Sequence, residues 1–157
     1  YRDPCFEQLL ADATAAGCDI ATYHFLRAPS EGTTVAQQVE VACEGVVDKQ
    51  LPMWIDVESP AGLSLDDVHV AASCFQQAGI EVAGVYTNAW YWRRHMGLAS
   101  PAQFGALWLA QWGNNTVTSP EQLGPWPRPL GFPKPEVWQF TSRGRVGGVD
   151  VDLNLAL

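Results

Sequence analysis

The sequence predicts an α/β fold built on a parallel sheet, and three observations predict it. Short apolar runs rich in β-branched and aromatic residues recur at 19–27, 51–59 and 81–88. Stretches with apolar residues at helical spacing separate them. Polar residues gather where the runs end: Glu58, Thr87-Asn88, Gln111 and Asn154. Alternation of strand and helix implies parallel strands with right-handed crossovers.

Each element follows in order. Residues 4–16 carry Phe6, Leu9, Leu10 and Ala13 at helical spacing, with Gly17 as the stop. Asp19 to Arg27 reads as a strand with Tyr23 and Phe25 on one face and Thr22 and His24 on the other. After a loop at 28–32, Thr33 or Thr34 caps a helix carrying Val35, Val39, Ala42, Val46 and Val47. Leu51 to Ser59 is the next strand. Ser64 and Asp67 form a capping box for a helix through Val68, Ala71, Ala72 and Phe75 that stops at Gly79. Glu81–Asn88 is a strand, Ala89–Met96 a short helix, and Phe104–Trp112 a strand. Residues 113–135 are proline-rich and irregular, long enough to suggest a functional loop or a cleft wall. Glu136–Thr141 and Val149–Leu155 close the chain as two strands with no helix between them.

The chain has 157 residues, a net charge of -8 and 47% hydrophobic residues, the size of one ordinary domain. The acidic balance argues against a nucleic-acid partner. No apolar run is long enough for a membrane-spanning helix. Cys5, Cys18, Cys43 and Cys74 have no metal-ligand spacing, and no phosphate-binding loop exists, so neither metal nor cofactor is expected. Cys5 and Cys18 sit at opposite ends of the first helix, ~20 Å apart, and four free thiols are expected. The seven tryptophans and four tyrosines are an aromatic excess of the kind that lines carbohydrate clefts, because sugar C–H faces stack on rings.

The chemistry centres on 51–59. Strand alternation puts Trp54, Asp56 and Glu58 on one face and Met53, Ile55 and Val57 on the other. Asp56 and Glu58 then stand roughly 6.5–7 Å apart along the strand. Two such carboxyls in a partly dry cleft cannot both ionise freely, so one has a raised pKa and can serve as an acid. Trp54 is expected to be buried beneath Asp56. His24 reads as a satisfied strand histidine, His69 and His95 as surface residues. Arg93, Arg94, Arg143 and Arg145 read as solvated, although Arg143 or Arg145 near the last strand could meet a ligand carboxylate.

These motifs together resemble the glycoside hydrolase family 25 lysozymes, the muramidases of the Chalaropsis and phage-endolysin type. Ala15-Ala16-Gly17 with Tyr23-His24-Phe25 is similar to the family's A-x-G…G-x-Y-H-F, with Ala21 or Thr22 where a glycine is usual. Leu51-Pro52 through Asp56-Val57-Glu58 resembles L-P-x-x-x-D-x-E, and Val85-Tyr86-Thr87 resembles I-Y-T. Leu107-Trp108-Leu109-Ala110-Gln111-Trp112 is similar to L-W-x-A-x-Y, with Trp for Tyr. Trp138-Gln139-Phe140-Thr141-Ser142, Gly144, Gly147 and Val151-Asp152-Leu153-Asn154 resemble the closing W-Q-Y-T-S…G…V-D-x-N.

The resemblance implies a TIM-like, irregular (β/α)5(β)3 barrel cleaving the β-1,4 bond between N-acetylmuramic acid and N-acetylglucosamine in peptidoglycan. It implies Glu58 as general acid/base, Asp56 as the group tuning it, and Asp152 as the carboxylate of the last strand, with Asp150 at the same parity as a weaker candidate. Tyr23, Tyr86, Trp108 and Gln139 would bind substrate. The family opens with a strand bearing an aspartate, a helix and a second strand. This sequence matches from the segment before the third strand, so residues 1–157 are expected to be one domain forming the later part of the barrel, with two strands upstream or missing. The attacking group therefore stays open: an upstream aspartate, or the substrate's own N-acetyl group oriented by Asp152 or Asp56. The implied partner is bacterial cell-wall peptidoglycan, with virion proteins or the rest of a longer chain as further partners. The place of action is the wall, reached from a host cytoplasm, a virion or by secretion. A non-catalytic, glycan-binding or structural virion domain is the alternative.

Overall fold

A computed structural model describes residues 3–46, 51–116, 119–129 and 132–157. Val47 of the second predicted helix lies outside the described residues, as does Tyr1-Arg2 of the segment before the first strand. The chain divides into two compact units, Tyr1–Ala83 and Gly84–Leu157.

The first unit contains α1 (Phe6–Ala15), β1 (Thr22–Phe25), α2 (Val35–Gly45), β2 (Met53–Asp56) and α3 (Leu65–Gln77). Strands β1 and β2 are parallel, with Tyr23 opposite Trp54 and Phe25 opposite Asp56. Both are shorter than the apolar runs predicted, because only four residues of each keep the pairing. Both predicted cap motifs form. Thr34 accepts from the Gln37 N–H while the Gln37 side chain takes the Thr34 N–H, and Ser64 and Asp67 do the same at α3. Each such cap typically contributes ~1 kcal/mol. Met53, Ile55 and Val57 are fully buried, and His24, on the Ile55 side of the ladder, meets Phe75 of α3 edge-on at 5.7 Å. That is the helix-covered face. Helix α1 buries none of its residues fully, so its predicted apolar face stays partly in solvent.

The second unit takes in most of β3 (Val82–Asn88), then α4 (Ala89–Met96), β4 (Ala106–Ala110), β5 (Val137–Val146) and β6 (Val149–Ala156). β3, β4 and β5 are parallel, and β6 returns antiparallel to β5. The predicted strand from Phe104 begins later, because Pro101–Phe104 forms a 3-10 turn ended by Gly105. β5 runs past Thr141, where the predicted strand ended, to Val146. Register shifts between Gln139 and Gly144 let it keep pairing with β6 while it bends. Val85, Thr87, Leu107, Leu109, Trp138 and Phe140 fill one face of this sheet and are buried. The proline-rich segment is anchored through aromatics. Trp126 donates to the Pro135 carbonyl at 2.8 Å and meets Trp138 edge-on, and the Arg93 guanidinium lies over the Phe132 ring.

Gly84 of β3 lies opposite Ala106 of β4 with no room for a side chain. A Cβ there would fall on the Ala106 backbone carbonyl, which cannot move without breaking the ladder. Gly84→Ala should therefore destabilise the protein by about 1–3 kcal/mol. Thermal denaturation followed by circular dichroism measures this. An unchanged melting temperature would show that the two strands can part at no cost.

Candidate active site

In the first unit the candidate residues lie on the face of β1 and β2 away from α3. Tyr23 and Phe25 are 66% and 40% exposed, Trp54 is half-buried, and Asp56 is almost fully buried. The expectation of a buried Trp54 is thus corrected. Helix α3 covers the opposite face of the ladder, and Trp54 faces its β1 neighbour Tyr23, itself largely open to solvent. Phe25 was not singled out as a binding residue. Its pairing opposite Asp56 makes it one of the exposed rings beside the carboxyl. The strand ends at Asp56, so Glu58 stands two residues beyond it in the loop that follows, partly exposed.

The two carboxyls are unequal. Burial, and then the negative charge of Glu58, push Asp56 from 3.8 up to about 8. Its Oδ1 is buried without a hydrogen-bond partner among the described residues. The raised carboxyl that the sequence called for is Asp56, the one deeper in the strand.

The loops after β1 and β2 are tied together by Glu31. Its Oε2 accepts from the Ser59 hydroxyl at 2.6 Å and the Ala28 N–H at 2.8 Å, and its Oε1 accepts from Arg27. These donors, the Ser59 hydroxyl foremost, hold the Glu31 carboxyl below its usual range. The clamp fixes the loop that carries Glu58. The sequence reading passed over it because Glu31 and Ser59 lie 28 residues apart, with no motif joining them.

His24 is a strand histidine, as expected, but only partly satisfied: its side chain has a hydrogen bond with Gln38. Burial lowers its pKa to about 4, and Nε2 has no partner among the described residues. It is neutral near neutral pH.

In the second unit, Gln139 is the centre. It is buried, and its Oε1 accepts from both the Tyr86 hydroxyl at 2.9 Å and the Trp112 indole N–H at 2.8 Å. Its Nε2 donates to Asp152 Oδ2 at 3.2 Å. Tyr86 also meets Trp108 edge-on at 5.2 Å, and the Trp108 indole N–H donates to Asn154 Oδ1 at 2.8 Å. Tyr86, Trp108, Gln139 and Asp152 are therefore brought together, with Trp112 and Asn154 as members not assigned a role from the sequence. Gln139 has its amide occupied on both sides, so it orients its neighbours. Asp152 is exposed while held from behind. Asp150, at the same parity, pairs across the hairpin with Arg145 and has no such link to Gln139.

All four cysteines are free thiols. Among the described residues no group of three histidine, cysteine or acidic side chains is placed to hold a metal ion, and no helix is long and apolar enough to cross a membrane.

Residues 1–149 match the family model described as Glycosyl hydrolases family 25. Lysozyme M1 of Streptomyces globisporus is 29% identical over 177 aligned positions, which take in 98% of this chain and 55% of that protein. The chain thus spans about half the length of this curated relative. Among solved structures, a glycosyl hydrolase 25 of Streptococcus pneumoniae, described as a virulence factor participating in host cell invasion, superimposes with a TM-score of 0.73 at 17% identity. That match covers 99% of this chain and 66% of the other, and it shows a shared fold.

The raised Asp56 pKa has a stability consequence whose sign can be worked out. The folded chain keeps a proton that the unfolded chain releases near pH 3.8, so this contribution is fully present below 3.8 and is lost as pH rises through about 8. His24 acts oppositely and only in acid, between its ordinary 6.5 and about 4. Asp56→Asn should therefore stabilise the protein increasingly up to about pH 8, by on the order of a few kcal/mol. Urea denaturation of both proteins at about pH 5, 7 and 9 checks this. A constant difference across the series would mean that Asp56 titrates normally.

Proposed function

We propose a muramidase function from one premise: this chain belongs to glycosyl hydrolases family 25. The protein cleaves the β-1,4 bond between N-acetylmuramic acid and N-acetylglucosamine in bacterial peptidoglycan, with Glu58 as general acid/base. The observation that carries this reading is the unequal carboxyl pair. Asp56 is buried and pushed up to about 8, beside a Glu58 that reaches solvent. Asp56 retains its proton across neutral pH, because burial disfavours its charged form and ionisation would place a second negative charge beside Glu58. Asp56 stores and tunes that proton, and Glu58, the accessible member, delivers it to the leaving oxygen.

Tyr23, with Phe25 and Trp54 beside it, offers ring faces to the sugar C–H surface. Trp108, half-buried, does the same in the second unit, where the buried Tyr86 packs edge-on against it. Gln139 serves as their positioning residue, and as that of Asp152. Asp152, exposed and held by the Gln139 amide, is the last-strand carboxylate that the family resemblance implies. The peptidoglycan of the bacterial wall is the partner and the wall the place of action. A purely glycan-binding role would use the same aromatic faces but has no use for a carboxyl held protonated near neutrality, so the catalytic reading is favoured. The family resemblance points to a phage particle or endolysin as the protein's setting.

Glu58→Gln in the full chain should lower the rate of cell-wall clearing by about 10²–10⁴-fold while leaving circular dichroism unchanged, since glutamine keeps the shape but has no proton to give. The parent's activity should fall as pH rises through about 8, where the pair loses its last proton. Asp56→Asn should move that alkaline limb to lower pH, because Glu58 then titrates without a charged neighbour. Turbidity loss of purified walls across pH reads all three. A Glu58→Gln protein that clears walls at the parent rate removes Glu58 from the role of acid.

A further inference from the structure

We propose that Trp90 and Arg94 form a binding site for a carboxylate-bearing sugar of the glycan strand. The inference rests on the muramidase reading and extends it to a site outside the residues already assigned. Helix α4 starts where β3 ends. Asn88 caps it by accepting the Tyr91 N–H at 2.8 Å, so its first turn stands at the same strand end that carries Tyr86 and Thr87. Trp90 lies in that first turn, and Arg94 follows four residues on, along the same side of the helix.

The core of the unit has no need of Trp90. Tyr91, Trp92 and Met96 already fill the buried side of α4, and the Trp92 indole donates inward to the Ala99 carbonyl. Trp90 itself is 69% exposed. The Arg94 guanidinium lies over its ring, 5.6 Å from the centroid. Arg93, its neighbour, is turned to the Phe132 ring instead. An indole has two faces. With a guanidinium over one, the remaining surface is a flat platform for a pyranose, and the exposed guanidinium beside it has a fork of donors of the kind that binds a carboxylate. The cation is held in place before the ligand arrives, which lowers the ordering cost of binding.

The charge distribution selects the ligand. The chain carries a net charge of -8, yet Arg93, Arg94, Arg128, Lys134, Arg143 and Arg145, six of its nine basic residues, fall in the second unit, against Glu121, Glu136, Asp150 and Asp152. An acidic protein that gathers its cations in the unit bearing an exposed Trp–Arg pair is suited to an anionic sugar rather than a neutral one. In the proposed substrate, that carboxylate belongs either to the lactyl group of the muramyl residue or to its peptide stem.

The test is isothermal titration of the full chain carrying Glu58→Gln, which prevents turnover. Three probes are used: the N-acetylglucosaminyl-N-acetylmuramic acid disaccharide, the same disaccharide bearing a dipeptide stem, and neutral chitobiose. The chain should prefer an acidic probe, and the preference should shrink with added salt. Whichever acidic probe binds tighter identifies the carboxylate. Trp90→Ala should weaken all binding roughly tenfold. Arg94→Gln should erase the preference for acidic probes, and Arg94→Lys should restore part of it, a pattern that loss of packing cannot produce. No preference in the parent chain, or variants that bind as the parent does, would overturn the inference. If the chain binds the muramyl probes and its Glu58 form clears walls while the variants behave as the parent, this site alone is wrong. If it neither binds nor clears, the muramidase reading falls and takes this site with it.

Discussion

Side chains on a strand must alternate, and one face of β2, β3, β4 and β5 here is dry. That constraint organises both units. Met53, Ile55 and Val57 go inward in the first unit, and Val85, Leu107, Leu109, Trp138 and Phe140 in the second. The residues between them are thereby committed to the other face, whatever their chemistry. Trp54 and Asp56 share one such face, and Tyr86, Trp108 and Gln139 share another. The apolar half of the pattern supplies the stability, at roughly 25 cal/mol for each Å² of apolar surface buried. The polar half is free to be functional.

What turns those polar residues into a site is a small number of unequal environments. Asp56 and Glu58 are two residues apart, yet one is sealed in the strand and the other stands in the following loop. Burial alone would raise Asp56, and the charge of Glu58 raises it further. The Glu31 carboxylate, by contrast, is surrounded by donors from Ser59, Ala28 and Arg27 and stays ionised. The Glu31 and Asp56 carboxyls thus take different states, set by which of them has hydrogen-bond donors to replace water. Gln139 supplies the corresponding order in the second unit, because one amide satisfies a hydroxyl, an indole and a carboxylate together.

The sequence by itself determined the sequential order of strands and helices, the caps at Thr34 and Ser64, the free cysteines and the residue types of the candidate site. Those features are local: apolar period, a capping residue with its partner three positions on, or a motif contained in a few residues. The family resemblance was equally legible, because its motifs are spread along almost the whole chain and the family match runs over residues 1–149.

Tertiary structure decided the rest, because it depends on residues far apart in sequence. Strand ends follow pairing partners, so β5 runs to Val146 with β6 opposite it, and β2 stops at Asp56. Trp54 is half-open because α3 covers the other side of its strand, which no periodicity in 51–59 records. The state of Asp56 required the depth of its burial. The Glu31–Ser59 clamp spans 28 residues, and the link from Gln139 to Tyr86 spans 53. Asp152 and Asp150 have identical parity in the sequence, and only the reach of the Gln139 amide distinguishes them. A one-dimensional pattern states which side of its element a residue occupies, whereas solvation, hydrogen bonding and charge state are set by the neighbours that folding brings to that side.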